Sequence, residues 1–266
     1  MSQNVFKLAD GTLMCRRINR EEIMPTIKWL EKITGIDFSK DVDEKGIPIK
    51  WLGTTGRKPS SGDLDLSVSE GDVTKEQLKN TLIQWALKSG ISSNDIMNTK
   101  VDRANWMQMS GDNIHFRAPI MGDEKNGFVQ TDFMFSPDPV WQQWSMRGGL
   151  ADSPYRGMHR HVLLASIARA QNYKYSYKNA LIDPTTDQTI TKNPNEIAKA
   201  LLGPDATAVD IETTENILKK IRSRPDYATL TAAARETLSK EGVMLPESIN
   251  VGSVSWLRHL IDTCDR

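Results

Sequence analysis

Two aspartates, Asp63 and Asp65, stand one residue apart in the apolar run Asp63-Leu64-Asp65-Leu66-Ser67-Val68. In a strand, residues i and i+2 share a face, so these carboxylates project side by side. Adjacent carboxylates repel, and a cation between them relieves the cost. Oxygen ligands of this kind suit Mg²⁺, which binds through a few carboxylates and through substrate phosphates. Upstream lies Gly53-Thr54-Thr55-Gly56-Arg57-Lys58-Pro59-Ser60-Ser61-Gly62, a small-residue turn and a basic loop. Backbone N–H groups in such a turn, with Arg57 and Lys58 beside them, form a phosphate cradle. The stretch reads as a metal-dependent nucleotide site. Asp-x-Asp is common, and a solvated edge strand is its plain alternative.

Asp132 adds to the pattern. It is the lone acid in the run Gly127–Phe135, where Phe128, Gln130, Asp132 and Met134 share one face. An acid in such a strand needs a partner. It serves either as a third carboxylate beside Asp63 and Asp65 or as the partner of a core arginine such as Arg117. Three carboxylates on neighbouring strands could hold two divalent cations, one activating an attacking hydroxyl and one stabilising a departing pyrophosphate.

These residues need strands and helices to position them. Ile47 to Leu52 and Asp63 to Val68 are expected to be strands, with Gly53 to Gly62 as the loop between them. Trp106 to Met109 and Ile114 to Ala118 read as two short strands around Ser110-Gly111-Asp112-Asn113. Asn19 followed by Arg20-Glu21-Glu22 starts a helix that carries Ile23, Ile27, Leu30 and Ile33, and Gly35 stops it. Thr74 with Gln77 forms a capping box for a second helix through Leu78, Leu82 and Trp85. Thr12 to Cys15 is a further short strand. Beyond Pro137 and Pro139 the texture becomes helical, around 155–171, 194–202, 213–223, 227–240 and 253–263, with Gly148-Gly149 as a joint.

The chain has 266 residues, ordinary hydrophobic and charged fractions of 38% and 26%, and zero formal net charge. It can bury a substantial core. No global field draws it to nucleic acid or to an anionic membrane. Its two cysteines, Cys15 and Cys264, form neither a disulfide framework nor a zinc motif. With no signal-peptide core after Met1 and no membrane-length apolar run, the expectation is a cytoplasmic protein without a membrane partner.

Gly53-Thr54, the basic loop, and Ser61-Gly62-Asp63-Leu64-Asp65-Leu66 together resemble the signature of the polymerase beta nucleotidyltransferase superfamily, in particular the palm and thumb of the family X DNA polymerases. The resemblance continues weakly through Asp152-Ser153, Lys174–Leu181, Thr189-Ile190-Thr191 and Asn195–Gly203, covering about residues 47 to 205. It implies that Asp63, Asp65 and Asp132 are catalytic and bind Mg²⁺ or Mn²⁺. Asp132 would also accept the attacking hydroxyl's proton. Gly53, Thr54, Arg57, Ser61 and Gly62 would bind an NTP or dNTP.

The chain also departs from that family. Its nucleotide loop is one residue shorter, and Thr54 replaces a serine. Gly149-Leu150-Ala151 stand where family X carries an aromatic pair, and Gly157 stands for an asparagine. The last two departures fall where the resemblance implies residues that position the incoming sugar, and Thr54 keeps the hydroxyl.

The stretch 153–182 contains no acid and interleaves Arg156, Arg160, Arg169, Lys174 and Lys178 with Tyr155, Tyr173, Tyr175 and Tyr177. That composition suits phosphate contacts and base stacking, and equally suits a solvated helix face with a packed loop. His159 and His161 lie two apart on a helix and face different directions, so they are poorly placed to share a metal.

The expected fold is α+β. A nucleotidyltransferase-type palm with a small mixed sheet spans 1–145, and a mainly helical, thumb-like domain spans 146–266. The expected activity is transfer of a nucleoside monophosphate from an NTP or dNTP to a hydroxyl, releasing pyrophosphate. Two alternatives stand beside it: a minimal family X-like polymerase filling short gaps, and a non-catalytic module that keeps the fold.

Overall fold

The computed structural model describes residues 4–43, 45–97, 105–147 and 152–249. The chain forms two compact units that divide between Ala151 and Asp152. The Gly148-Gly149 joint and the 253–263 helix lie outside the described residues. The described residues form a mixed α/β structure in which no helix is long and apolar enough to cross a membrane.

In chain order the first unit contains β1 (Ile18–Asn19), α1 (Arg20–Thr34), β2 (Trp51–Leu52), β3 (Ser60–Ser61), β4 (Asp63–Ser69), α2 (Lys75–Lys88), α3 (Ser93–Ile96), β5 (Met107–Ser110), β6 (Asn113–Pro119), β7 (Phe128–Ser136) and α4 (Pro139–Ser145). Five of these strands make one mixed sheet in the order β2-β4-β7-β6-β5. Only β4 and β7 run parallel. A parallel pair needs a crossover, and the chain between them supplies it through α2, α3 and the β5–β6 hairpin.

Alternation along the strands separates two faces. Leu64, Leu66 and Val68 of β4, Phe133 and Phe135 of β7, and Ile114 and Phe116 of β6 point to one side. There they meet Ile23, Ile27 and Leu30 of α1 and Leu78, Leu82 and Ala86 of α2. Trp85 stands at the centre of an aromatic group, 5.2 Å from Trp29, 5.9 Å from Trp106 and 5.5 Å from Phe116 between ring centroids. Full burial of each large aliphatic side chain contributes about 1.5–3 kcal/mol. This core holds the sheet flat against its two helices and leaves the opposite face to the acids.

Both helix starts form as their sequences predict. The Glu22 side chain accepts from the Asn19 N–H at 2.9 Å. Thr74 and Gln77 exchange reciprocal bonds of 2.8 and 3.2 Å. Gly35 ends α1 in the left-handed region at φ 74°. The hairpin joining β5 to β6 turns on Gly111 and Asp112, with Ser110 opposite Asn113.

Two strand expectations need correction. Of Ile47–Leu52, only Trp51 and Leu52 pair with β4. The preceding residues instead fold onto Asp43, whose Oδ1 accepts from the Lys45 and Ile47 N–H groups. Thr12 to Cys15 provides only an isolated bridge between Lys7 and Leu13.

The second unit contains α5 (Gly157–Ala170), β8 (Lys174–Ser176), β9 (Ala180–Ile182), β10 (Thr189–Thr191), α6 (Pro194–Leu202), α7 (Thr214–Ile221) and α8 (Tyr227–Ser239). Its helices enclose Leu163, Leu164, Ile167, Ile197, Leu201, Ile217, Ile221 and Leu230. Ser166 Oγ ties α5 to α8, donating to the Leu230 carbonyl and accepting from the Ala234 N–H. The three strands form an antiparallel sheet in the order β10-β9-β8, which the sequence reading did not anticipate. Each spans three residues, too few to display alternation.

Candidate metal centre

The parallel pairing of β4 with β7 sets Asp63 opposite Gln130 and Asp65 opposite Asp132. Directly opposed residues share a face, so Asp63, Asp65, Gln130 and Asp132 all leave the sheet on the side away from α1 and α2. One ligand atom from each of Asp63, Asp65 and Asp132 lies within 4.8 Å of the others. Asp132 is 4% exposed, and the other two are partly covered.

Three carboxylates this close resist ionisation together. Burial pushes the Asp63 carboxyl up to about 6, helped by the charge of Asp132 and opposed by Arg17. Burial also raises the Asp65 carboxyl well above its ordinary value, and the charges of Asp63 and Asp132 add to the effect. The donor set is hard and anionic, which fits a divalent cation. The cation's identity is not fixed by these three residues, since Mg²⁺ and Mn²⁺ accept the same oxygen ligands.

The glycine turn is held by its own backbone hydrogen bonds. The Gly53 N–H donates to the Met146 carbonyl at 2.9 Å, Thr55 N–H to Leu52 at 3.1 Å, and Arg57 N–H to Thr54 at 3.0 Å. Three of the backbone donors expected to cradle phosphate are therefore engaged within the unit. Gly53 instead provides room: its φ is 55°, and a Cβ there would overlap Asp65 Oδ2. Gly56, at φ 70°, makes similar room for the Trp51 ring, which a Cβ would approach to 2.6 Å. Thr55 is fully buried and its hydroxyl accepts from the Asp65 N–H at 3.0 Å.

Thr54 and Ser61 meet across the loop, their hydroxyls 2.5 Å apart. Arg57 forms a buried ion pair with Asp43, Nη2 to Oδ2 2.7 Å, with side-chain exposures of 7% and 1%. Burial pushes the Asp43 carboxyl up, but Arg57 and the backbone N–H groups of Ile47 and Lys45 outweigh it and hold it below its ordinary value. Gly62 is exposed beside Arg17. Arg17, which precedes β1, reaches the Ser60 carbonyl at 3.1 Å because β1 pairs with β3. Its charge favours ionised Asp63.

Asp132 is held on both oxygens. His115 Nδ1 lies 2.8 Å from Oδ1, and Gln130 Nε2 donates to Oδ2 at 3.2 Å. Gln130 Oε1 in turn accepts from the Val5 N–H at 2.8 Å. The core-arginine alternative for Asp132 is thereby corrected: its imidazole partner comes from the adjacent position of β6. Arg117 lies between two rings, its guanidinium carbon 4.2 Å from the Trp106 centroid and 4.5 Å from that of Phe128. Such cation–π contacts help hold a desolvated guanidinium, and the charge of Glu124 adds to them. His115, Gln130, Thr55, Asp43 and Arg17 were missed by sequence reading. The alternation of β7 already put Gln130 on Asp132's face, but only the pairing of β6 with β7 identifies His115.

In the second unit, the basic and aromatic stretch divides between surface and interior. Arg156, Arg169, Lys174, Tyr177 and Lys178 are exposed. Arg160 is 3% exposed, and its Nη1 donates to the Glu212 carbonyl at 2.8 Å. His161 stacks on Tyr175, whose hydroxyl burial pushes up to about 12. His159 is buried and its Nδ1 accepts from the Arg156 N–H.

No protein-family model matches this chain, and a search of curated proteins returned no match.

Proposed function

We propose that this protein is a metal-dependent nucleotidyltransferase that moves a nucleoside monophosphate from an NTP or dNTP to a hydroxyl, with release of pyrophosphate. The observation that carries this reading is the convergence of Asp63, Asp65 and Asp132 beside a turn whose Gly53 leaves no space for a side chain. Three carboxylates are more than a lone structural ion pair requires, and burial holds the carboxyls of Asp63 and Asp65 above their ordinary pKa beside the charge of Asp132.

In this reading Asp63, Asp65 and Asp132 hold Mg²⁺ or Mn²⁺. Such ions lower the acidity barrier of an attacking hydroxyl and neutralise charge on the leaving pyrophosphate. Asp132, nearest the interior, accepts the hydroxyl proton. Arg17 and the Thr54 hydroxyl, held by the buried Ser61, face the phosphates, with Arg57 and Gly62 in the surrounding loop. Catalysis is then chiefly positioning and charge neutralisation, as phosphoryl transfer requires. The exposed Arg156, Arg169, Lys178 and Tyr177 support a nucleic acid as acceptor.

The test supplies α-labelled NTPs and dNTPs with Mg²⁺ or Mn²⁺ to gapped DNA, single-stranded DNA, tRNA and cell extract. Label on one acceptor, lost in Asp63→Asn and Asp132→Asn, is the expected result. Absence of both transfer and nucleotide binding would overturn the proposal in favour of a binding module.

A further inference from the structure

We propose that His115 is a positioning residue for Asp132, and that its Nδ1 hydrogen bond sets the cation affinity of the carboxylate triad. The inference rests on reading that triad as a cation site.

The geometry is specific. His115 and Asp132 are directly opposed on β6 and β7, and the 2.8 Å contact runs from Nδ1 to Oδ1. A carboxylate accepts, so the ring carries its hydrogen on Nδ1. His115 is 8% exposed, which limits its ring to few orientations. Its nitrogens do not belong to the group of ligand atoms that converge on the cation site; that group comprises Asp63, Asp65 and Asp132 alone among the described residues. His115 therefore touches the site through Asp132.

Each carboxylate oxygen has two lone-pair directions. His115 occupies one on Oδ1 and Gln130 occupies one on Oδ2, at 2.8 and 3.2 Å. One direction on each oxygen remains for a cation. With both outer directions taken, the carboxylate cannot rotate about its Cβ–Cγ bond without breaking a bond on each side. The like charges of Asp63 and Asp65 push Asp132 outward, and the two donors oppose that push. Outer-shell hydrogen bonds of this type change metal affinity by about 10–100-fold. The shorter bond, and the one formed by a ring rather than a flexible amide, comes from His115.

The experiment measures Mn²⁺ binding to the full chain from the electron paramagnetic resonance signal of free Mn²⁺. It compares wild type, His115→Leu and His115→Asn, with circular dichroism checking the fold of each. Leucine removes the donor; asparagine restores an N–H close to the Nδ1 position. The expected result is affinity weakened by roughly tenfold in His115→Leu and largely recovered in His115→Asn. Gln130→Met, which removes the other donor, is expected to weaken binding as well; if His115→Leu fails to fold, His115→Phe, which keeps a ring but no donor, takes its place. Equal affinity in wild type and both His115 variants would overturn the role while leaving the metal site standing. Equal loss in both folded His115 variants would overturn it too, since rescue by a donor is its signature. Wild type without affinity for Mn²⁺ would instead overturn the metal reading, and this inference with it.

Discussion

Gly53 and Asp65 occupy positions that exclude a side chain between them: a Cβ on Gly53 would overlap the Oδ2 atom of Asp65. The glycine is thus a condition for the carboxylate's placement.

Gly53→Ala should therefore act on the triad. At φ 55° alanine is already strained, by about 1 kcal/mol, and its methyl must displace Asp65. The expected outcome is a modest fall in melting temperature together with loss of most Mn²⁺ affinity. Calorimetric titration with Mn²⁺ checks it. An alanine variant that binds Mn²⁺ like wild type would show that Asp65 has another place to go.

Asp63 gives a pH dependence with a definite sign. Its carboxyl is raised from 3.8 to about 6 in the folded chain, so the unfolded chain ionises it more easily. In the absence of metal the ionised group opposes folding above about pH 6. The penalty fades as pH falls through 6 and is gone below the unfolded value near 4. Asp63→Asn should melt higher than wild type at pH 8 without metal, and the two should converge near pH 4. Added Mg²⁺ at pH 8 should raise the wild-type melting temperature and leave the variant's nearly unchanged. Parallel melting curves across this range would contradict the assignment.

Among the described residues, Asp43 is the carboxylate that pairs with the buried Arg57 side chain. Removing one member of a buried pair costs about 3–5 kcal/mol because the remaining charge stays desolvated. Asp43→Ala should lower stability by roughly that amount in urea unfolding. The double variant Asp43→Ala/Arg57→Met should recover part of it. If Asp43→Ala unfolds at the wild-type midpoint, Arg57 reaches solvent more easily than its 7% exposure indicates.

The parts of this fold that depend on neighbours along the chain were readable in advance. Asp63 and Asp65 share a face because they are two apart, and the alternation of Gly127–Phe135 set Asp132 on one face with Phe128, Gln130 and Met134. Thr74 with Gln77, and Gly35, marked helix ends through bonds that span three or four residues. Contacts that cross strands were not readable. His115 meets Asp132 through the register of β6 on β7, which no local pattern specifies. Arg117 looked like the natural partner for that acid, yet the rings of Trp106 and Phe128 offered its guanidinium an apolar seat. Arg57 looked available to a phosphate until the loop at Asp43 closed on it. In the second unit, strands of three residues were hidden because their pairing, rather than their composition, defines them.

The strand order β2-β4-β7-β6-β5 places the last strand of the sheet in the chain at its centre. β2 with β4, and β5 with β6, are each pairs that can form from nearby chain. β7 is the last strand of the sheet to be synthesised, and it occupies the place between them. A nascent chain that has emerged only through β6 carries Asp63, Asp65 and His115 in two separate hairpins. When β7 inserts, it joins the halves of the apolar core with Phe133 and, from its other face, brings Asp132 between Asp65 and His115. Insertion of β7 thus completes both the core and the acidic triad; without it Asp63 and Asp65 stand on β4 with no third carboxylate.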